Sequence, residues 1–299
     1  MSIHPKNYLF ISIIFCLFSC EKKIDFPLKE AVPLLSVDAS IESDTFPVVI
    51  LTKSINFFSK VTPEILSSAM VNDAIVEIEN SNKTIRLTKQ EILFPGNLKY
   101  IYYTCDPVNT GQQLRGKVGE KYTLTITWQN KIYTSSTTIP LLRKTVDSLW
   151  WAKAPATPDT STKIILKGLF TDPPFFGDYV RYFTKVNNEP FLPGRNSAFD
   201  DLFVNGTRYE IDIPKGVDRN LNEDLLNDQF FRRGDTITVK LSNIDKATYD
   251  FWRTTEFSYQ SAGNPFSSPV KIMGNISNGA LGYFGGYANQ FRKIIIPPL

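Results

Sequence analysis

The side chains able to do chemistry in this sequence are few, and their spacing excludes more than it offers. The single histidine is His4. Beyond it there is no imidazole for a Ser-His-Asp or Cys-His nucleophile, a general base or a histidine-bound zinc ion. Three cysteines, Cys16, Cys20 and Cys105, are too few for a four-thiolate zinc site. Ser268-Pro-Val-Lys271 has S-x-x-K spacing, but a Gly- and Asn-rich run follows where that motif needs a helix, and no KTG triplet accompanies it. Paired carboxylates remain as the surviving catalytic chemistry. Asp218, Asn220, Asn222 and Asp224 alternate like the start of an EF-hand calcium loop. Glu223 stands where that loop needs glycine, and Gln229 where it needs a bidentate glutamate. A solvated loop is expected there instead, with those four residues as the only calcium candidates. The reading expects no catalytic residue, no metal and no cofactor beyond a covalent lipid.

Cys20 has the most informative surroundings. Lys6 precedes an apolar run from Tyr8 to Phe18, within the roughly 7–15 residues of a secretory h-region. The run is short of the roughly 20 residues that a spanning helix needs. Leu17-Phe18-Ser19-Cys20 follows, and then the charged Glu21, Lys22 and Lys23. This resembles a bacterial lipobox, which implies cleavage after Ser19 and a diacylglycerol on the Cys20 thiol, with palmitate among the acyl chains. One chain binds a bilayer only marginally, whereas two or more anchor stably. Residues 1–19 therefore read as a lipoprotein signal peptide. Residues 20–33 read as a tether that, at about 3.3 Å per residue, reaches about 40 Å. Maturation removes Cys16 and leaves Cys105 as the only thiol besides the lipidated one, expected to be a buried small hydrophobe. Of the formal charge of +3, Lys6 contributes one. The rest is spread along the chain, so no nucleic-acid partner is expected.

The elements that must carry any site read as β almost throughout. Leu35, Val37, Ala39 and Ile41 alternate with polar residues, as do Ala74-Val76-Ile78, Ile85-Leu87 and Tyr122-Leu124-Ile126-Trp128. A period of two with one polar face marks half-buried antiparallel strands. Gln129-Asn130 reads as a tight turn into a strand over 132–139. Pro140 and Arg143-Lys144 mark a boundary. Later strands are expected at 146–151, 163–170, 178–186, 208–213, 235–242 and 291–296, with "APATPDTST" and "TDPPFFGD" as Pro-broken loops. Ser242-Asn243-Ile244-Asp245 offers N-cap chemistry to one helix near 243–260. The expected fold is mainly β. It comprises two antiparallel sandwich domains, 34–141 (Ig-like or transthyretin-like) and 142–299, with the one helix in the second.

Four stretches together carry a family resemblance: "CEKKIDF" at Cys20, "GKVGEKYTLTI" at 116–126, "RRGDTITVKLSNIDKATYDFW" at 232–252 and "GNPFSSPVKIMGNISNGALGYFGG" at 263–286. The chain resembles the DUF4249 family of Bacteroidota lipoproteins over nearly its whole mature length. The resemblance implies an outer-membrane setting beside a TonB-dependent receptor and supplies no catalytic residues. The last stretch holds six of the sixteen glycines, which permit positive φ and close backbone approach. Its aromatics have two readings. One is core packing against the helix, and the other is a partner or ligand contact surface formed by Phe266, Tyr283, Phe284 and Tyr287. The expected function is a non-enzymatic lipoprotein acting as accessory or ligand-binding partner of a TonB-dependent transporter. The alternative is a surface glycan-binding module or a carboxylate-dependent carbohydrate-active enzyme.

Overall fold

The computed structural model describes residues 32–56, 59–96, 98–155, 162–220, 229–264, 266–268 and 270–298. Cys20, Asn222 and Asp224 lie outside them, as does nearly all of the expected tether. From Pro33 onward the chain is one compact unit. It begins with β1 (Leu35–Glu42), β2 (Val48–Lys53) and a short helix α1 (Pro63–Ala69), followed by β3 (Ile75–Glu79), β4 (Thr84–Arg86), β5 (Thr88–Phe94) and β6 (Leu98–Thr104). A hairpin of β7 (Lys121–Trp128) and β8 (Lys131–Thr138) closes the first half. The second half holds β9 (Thr145–Lys153), β10 (Lys163–Thr171), β11 (Tyr179–Val186), β12 (Leu192–Phe199), β13 (Arg208–Ile213), β14 (Phe231–Arg232), β15 (Thr236–Ile244), α2 (Lys246–Ser261) and β16 (Leu281–Ile295).

The fold is mainly β, in sandwiched antiparallel sheets, none of them closed into a barrel among the described residues. Leu35, Val37, Ala39 and Ile41 are all buried, as their alternation requires. Gln129 and Asn130 take φ of 48° and 58°, the left-handed pair that lets a two-residue turn follow the twist of β7 and β8. Asp245 caps α2 by accepting from the Thr248 N–H at 2.9 Å. Helix α1 carries no amphipathic signal in its seven residues. It is set by Pro63 at its start and by the Thr62 hydroxyl, which accepts from the Ile65 N–H.

Two large cores form, the first from residues before 141 together with Phe284 and Ala288, the second from residues after 141. The first gathers side chains of β1, β2, β3, β6 and β7, and the second those of β10, β11, β13 and β15. One eight-stranded sheet nevertheless runs through both, in the order β12-β11-β15-β16-β1-β2-β6-β5. The smaller sheets, β4-β3-β7-β8 and the one built on β10, are each four-stranded. The join is β16, antiparallel to β15 and parallel to β1, with Ser36 opposite Leu281 and Glu42 opposite Tyr287. This parallel pair departs from the otherwise antiparallel expectation. Gly282 permits it: its φ is +94°, and a Cβ there would sit 1.8 Å from the Val37 carbonyl oxygen.

Strand β16 also corrects the contact-surface reading of the Gly/aromatic stretch. Residues 283–288 are buried without interruption, because the strand is covered on both faces and so shows no period of two. Phe284 is fully enclosed in the first core. Tyr283 and Tyr287 lie against α2, where Tyr283 stacks on Phe251 at 4.3 Å and Trp252 donates to the Tyr287 hydroxyl at 2.8 Å. Asn275 pairs with both backbone groups of Phe284, and Ser277 with the backbone of Thr134. The preceding loop is thereby tied into the fold. These three rings are core and cannot present a surface to a partner. Of the four, only Phe266 is exposed, at 94 %.

Candidate functional site

A cavity of about 720 Å³ opens between the large sheet and the sheet built on β10. Its walls follow from strand alternation. Phe170 on β10, Tyr209, Ile211 and Ile213 on β13, and Val239 and Leu241 on β15 send side chains into the gap. Tyr182 on β11 and Phe199 on β12 stack at 6.1 Å, as do Phe170 and Tyr209 at 5.8 Å. The Tyr182 hydroxyl lies where a Cβ of Gly194 would be, 2.0 Å from that position, so only glycine leaves room for the ring. Burial raises the pKa of this hydroxyl far beyond its ordinary value, with Glu256 adding to the effect. The phenol is a neutral part of the wall.

The mouth combines apolar and basic groups. Leu202 and Phe203 line the cavity while exposing 63 % and 93 % of their surface. Arg195, Lys215 and Arg253 also line it. Tyr249 donates to Asp200 at 2.9 Å beside them. Partial burial, with that carboxylate next, raises the tyrosine to about 12. Strand β12 is pinned to α2 from behind. Glu256, 1 % exposed, accepts from the Ser197 N–H and hydroxyl and from Arg219. Arg181 donates to the same Ser197 hydroxyl and lies 3.4 Å from the Trp252 ring centroid. This network fixes the edge strand from which Arg195 and Asn196 reach the cavity.

At the inner end stands Lys144, 1 % exposed. Its backbone is held by Asn243, which accepts from its N–H and donates to its carbonyl, and by Gln290. Its Nζ lies 2.6 Å from Asp172 Oδ2 and over the Tyr209 ring. Burial alone would lower its pKa, but the Asp172 hydrogen bond and Tyr209 outweigh that and raise it. Asp172 in turn adjoins Asp178 and Asp201, whose ligand-capable oxygens all lie within 4.8 Å of one another. Asp201 Oδ2 accepts from the Gly177 and Asp178 N–H groups at 2.8 and 3.0 Å. Burial raises the pKa of Asp178. Arg143 opposes the rise, and Asp172 and Asp201 reinforce it.

The sequence-derived candidates do not converge here. Asp218 and Asn220 form a local turn, in which the Asn220 N–H and amide both donate to Asp218 Oδ1 at 2.9 Å. Phe266 is not among the residues lining the cavity. Cys105 is fully buried, its Sγ within hydrogen-bond reach of the Leu114 backbone and its pKa raised by burial. That matches the expectation of a buried small hydrophobe. Lys144 falls at the expected boundary, and Asp172 and Asp178 fall within the expected loop "TDPPFFGD". The available signal was the pair of aspartates bracketing Pro-Pro-Phe-Phe-Gly beside a strand end.

Comparison with curated proteins gives no match. A family model, described as a domain of unknown function (DUF4249), matches residues 21–293. That span takes in both cores, the cavity and β16, so the chain belongs to the DUF4249 family.

Proposed function

We propose that the protein is a non-enzymatic lipoprotein of the outer membrane, held by a lipid on Cys20, that binds a small ligand beside a TonB-dependent transporter. The observation that carries this reading is the cavity of about 720 Å³, within the roughly 300–1,000 Å³ of small-molecule sites. Its walls are aromatic and aliphatic, and its mouth carries Arg195, Lys215 and Arg253. This suits an amphipathic ligand, its apolar body inside and its acidic group outside. The anchor rests on the lipobox-like Leu17–Cys20. The transporter rests on family association, which is analogy.

Native mass spectrometry of the protein extracted from its own membranes tests all parts. The expected result is acylated protein carrying one small molecule and co-purifying with a barrel protein. Val204→Trp at the mouth should remove the small molecule and spare the anchor. Cys20→Ala should release the protein from the membrane. Recovery of ligand-free protein from native extracts, or a bound glycan lost on changing a single Asp or Glu, would replace the reading.

A further inference from the structure

We infer that Asp172, Asp178 and Asp201 form a binding site for one hard divalent cation, calcium by its dimensions, that fastens the loop between Asp172 and Asp178 to the turn that Asp201 opens. The three carboxylates sit on two segments. Asp172 and Asp178 bracket the loop of Phe175 and Phe176, and Asp201 opens the turn that carries Leu202 and Phe203. Calcium binds six to eight oxygens at about 2.3–2.6 Å. Oxygens on opposite sides of one ion therefore stand about 4.8 Å apart, and that is the span within which these ligand atoms fall.

Closeness of acids alone would say little. The independent observation is that their oxygens lack partners. Setting aside the Lys144 ion pair, the described residues that carry a buried side-chain oxygen lacking a hydrogen-bond partner are Ser135, Asp172, Asp178, Asn205 and Thr255. Three of the five belong to this corner, since Asn205 lies on the Asp201 turn and donates its N–H to the Asp201 carbonyl. The orphaned atoms of those three residues are carboxylate or amide oxygens, acceptors only, whereas Ser135 and Thr255 present hydroxyls. The Asp172 side chain is completely buried, where an unpaired carboxylate oxygen is costly. Asp172 Oδ1 has no partner at all, and Oδ2 has only Lys144.

Charge leads to the same species. Among the described residues, Lys144 is the one buried cation paired with the group. Arg143 is half-exposed and 4.0 Å from Asp178, too far to hydrogen-bond. Three carboxylates against one buried ammonium leave two negative charges, the complement of one divalent ion. A donor set of oxygens alone selects calcium or its hard relatives over zinc or copper. Backbone bonds already lay the loops side by side, from Gly206 N–H to the Pro173 carbonyl and from Asp172 N–H to the Thr207 carbonyl. The ion adds a charge clamp on the same seam. The site does not depend on what the cavity holds.

The test uses the mature protein purified in detergent and stripped with chelator. Calorimetric titration with calcium chloride should show one site per chain, at about 1 mM or tighter, the range of extracellular calcium modules. Excess calcium should raise Tm by about several degrees. Asp178→Asn and Asp201→Asn, near-isosteric changes, should each weaken binding about tenfold or more. Asp218→Asn should bind as the unaltered protein does, which separates this site from the EF-hand-like stretch. Equilibrium dialysis of the unaltered protein serves as a second measure that needs no variant. Absence of stoichiometric calcium uptake, or binding that survives Asp178→Asn and Asp201→Asn yet disappears in Asp218→Asn, would overturn the inference.

Discussion

The Nζ of Lys144 lies 2.6 Å from Asp172 Oδ2, and the two side chains expose 2 % and 0 % of their surface. A pair so enclosed is worth little against an apolar replacement, but halving it strands a charge. Lys144→Met, measured in chelator by urea unfolding, should lose about 3–5 kcal/mol. The double variant Lys144→Met/Asp172→Leu should recover most of that. A single variant as stable as the parent would show that the pair bears no load.

Glu256 should behave as the pin between α2 and β12. Its carboxylate serves two backbone N–H groups, a hydroxyl and a guanidinium. Glu256→Ala removes the acceptor from all four, leaving the Ser197 hydroxyl only its bond from Arg181, and should cost about 3–5 kcal/mol. Glu256→Gln keeps one acceptor oxygen and should cost about 1–3 kcal/mol. Denaturant midpoints of the two variants measure the difference.

The aromatics of the Gly-rich stretch should divide sharply by burial. Phe284→Ala removes a fully enclosed ring and should lower stability by about 3–5 kcal/mol. Phe266→Ala, at 94 % exposure, should change stability by less than about 0.5 kcal/mol. Thermal unfolding of both variants side by side checks the assignment of β16 to the core.

Tyr249 sets an alkaline limit. Its pKa is raised from 10.0 to about 12 by partial burial and by its bond to Asp200. Between those values the unfolded chain has released the phenolic proton and the folded chain keeps it. Stability from this group is therefore complete below pH 10.0 and falls as the pH rises toward about 12. Tm measured across that window should decline more steeply for the parent than for Tyr249→Phe. Equal slopes would remove Tyr249 from the account.

Much of the fold was legible because local pattern and tertiary role agree. The β7–β8 hairpin has strict alternation and an Asn at its turn, and the α2 cap has Asp245 in place. Strand β16 was legible only at its end, since a strand buried on both faces alternates nothing and its glycines look like loop. Strand β12, "LPGRNSAF", has Pro and Gly where strand signals are sought. It exists because β11 offers it an edge and Glu256 holds it there. The cavity was not legible at all. Its walls come from five strands whose side chains meet only once the sheets face each other. Asp172 and Asp201 are likewise far apart in sequence and adjacent only because Asp172 and Thr207 pair through their backbones.

The position of β16 also determines the order in which this molecule can be assembled. It is the last of the described strands in the chain, yet it fills the middle of the eight-stranded sheet between β15 and β1. A chain emerging N-terminus first offers β1 with one edge bare until residues 281–295 arrive, and a bare edge is a template for pairing with other chains. Pairing across nearly the whole sequence is also slow to form. The protein is therefore vulnerable until its last described strand is in place, and a chain cut short of Leu281 leaves the first core without Phe284 and Ala288 and the β1 edge permanently open.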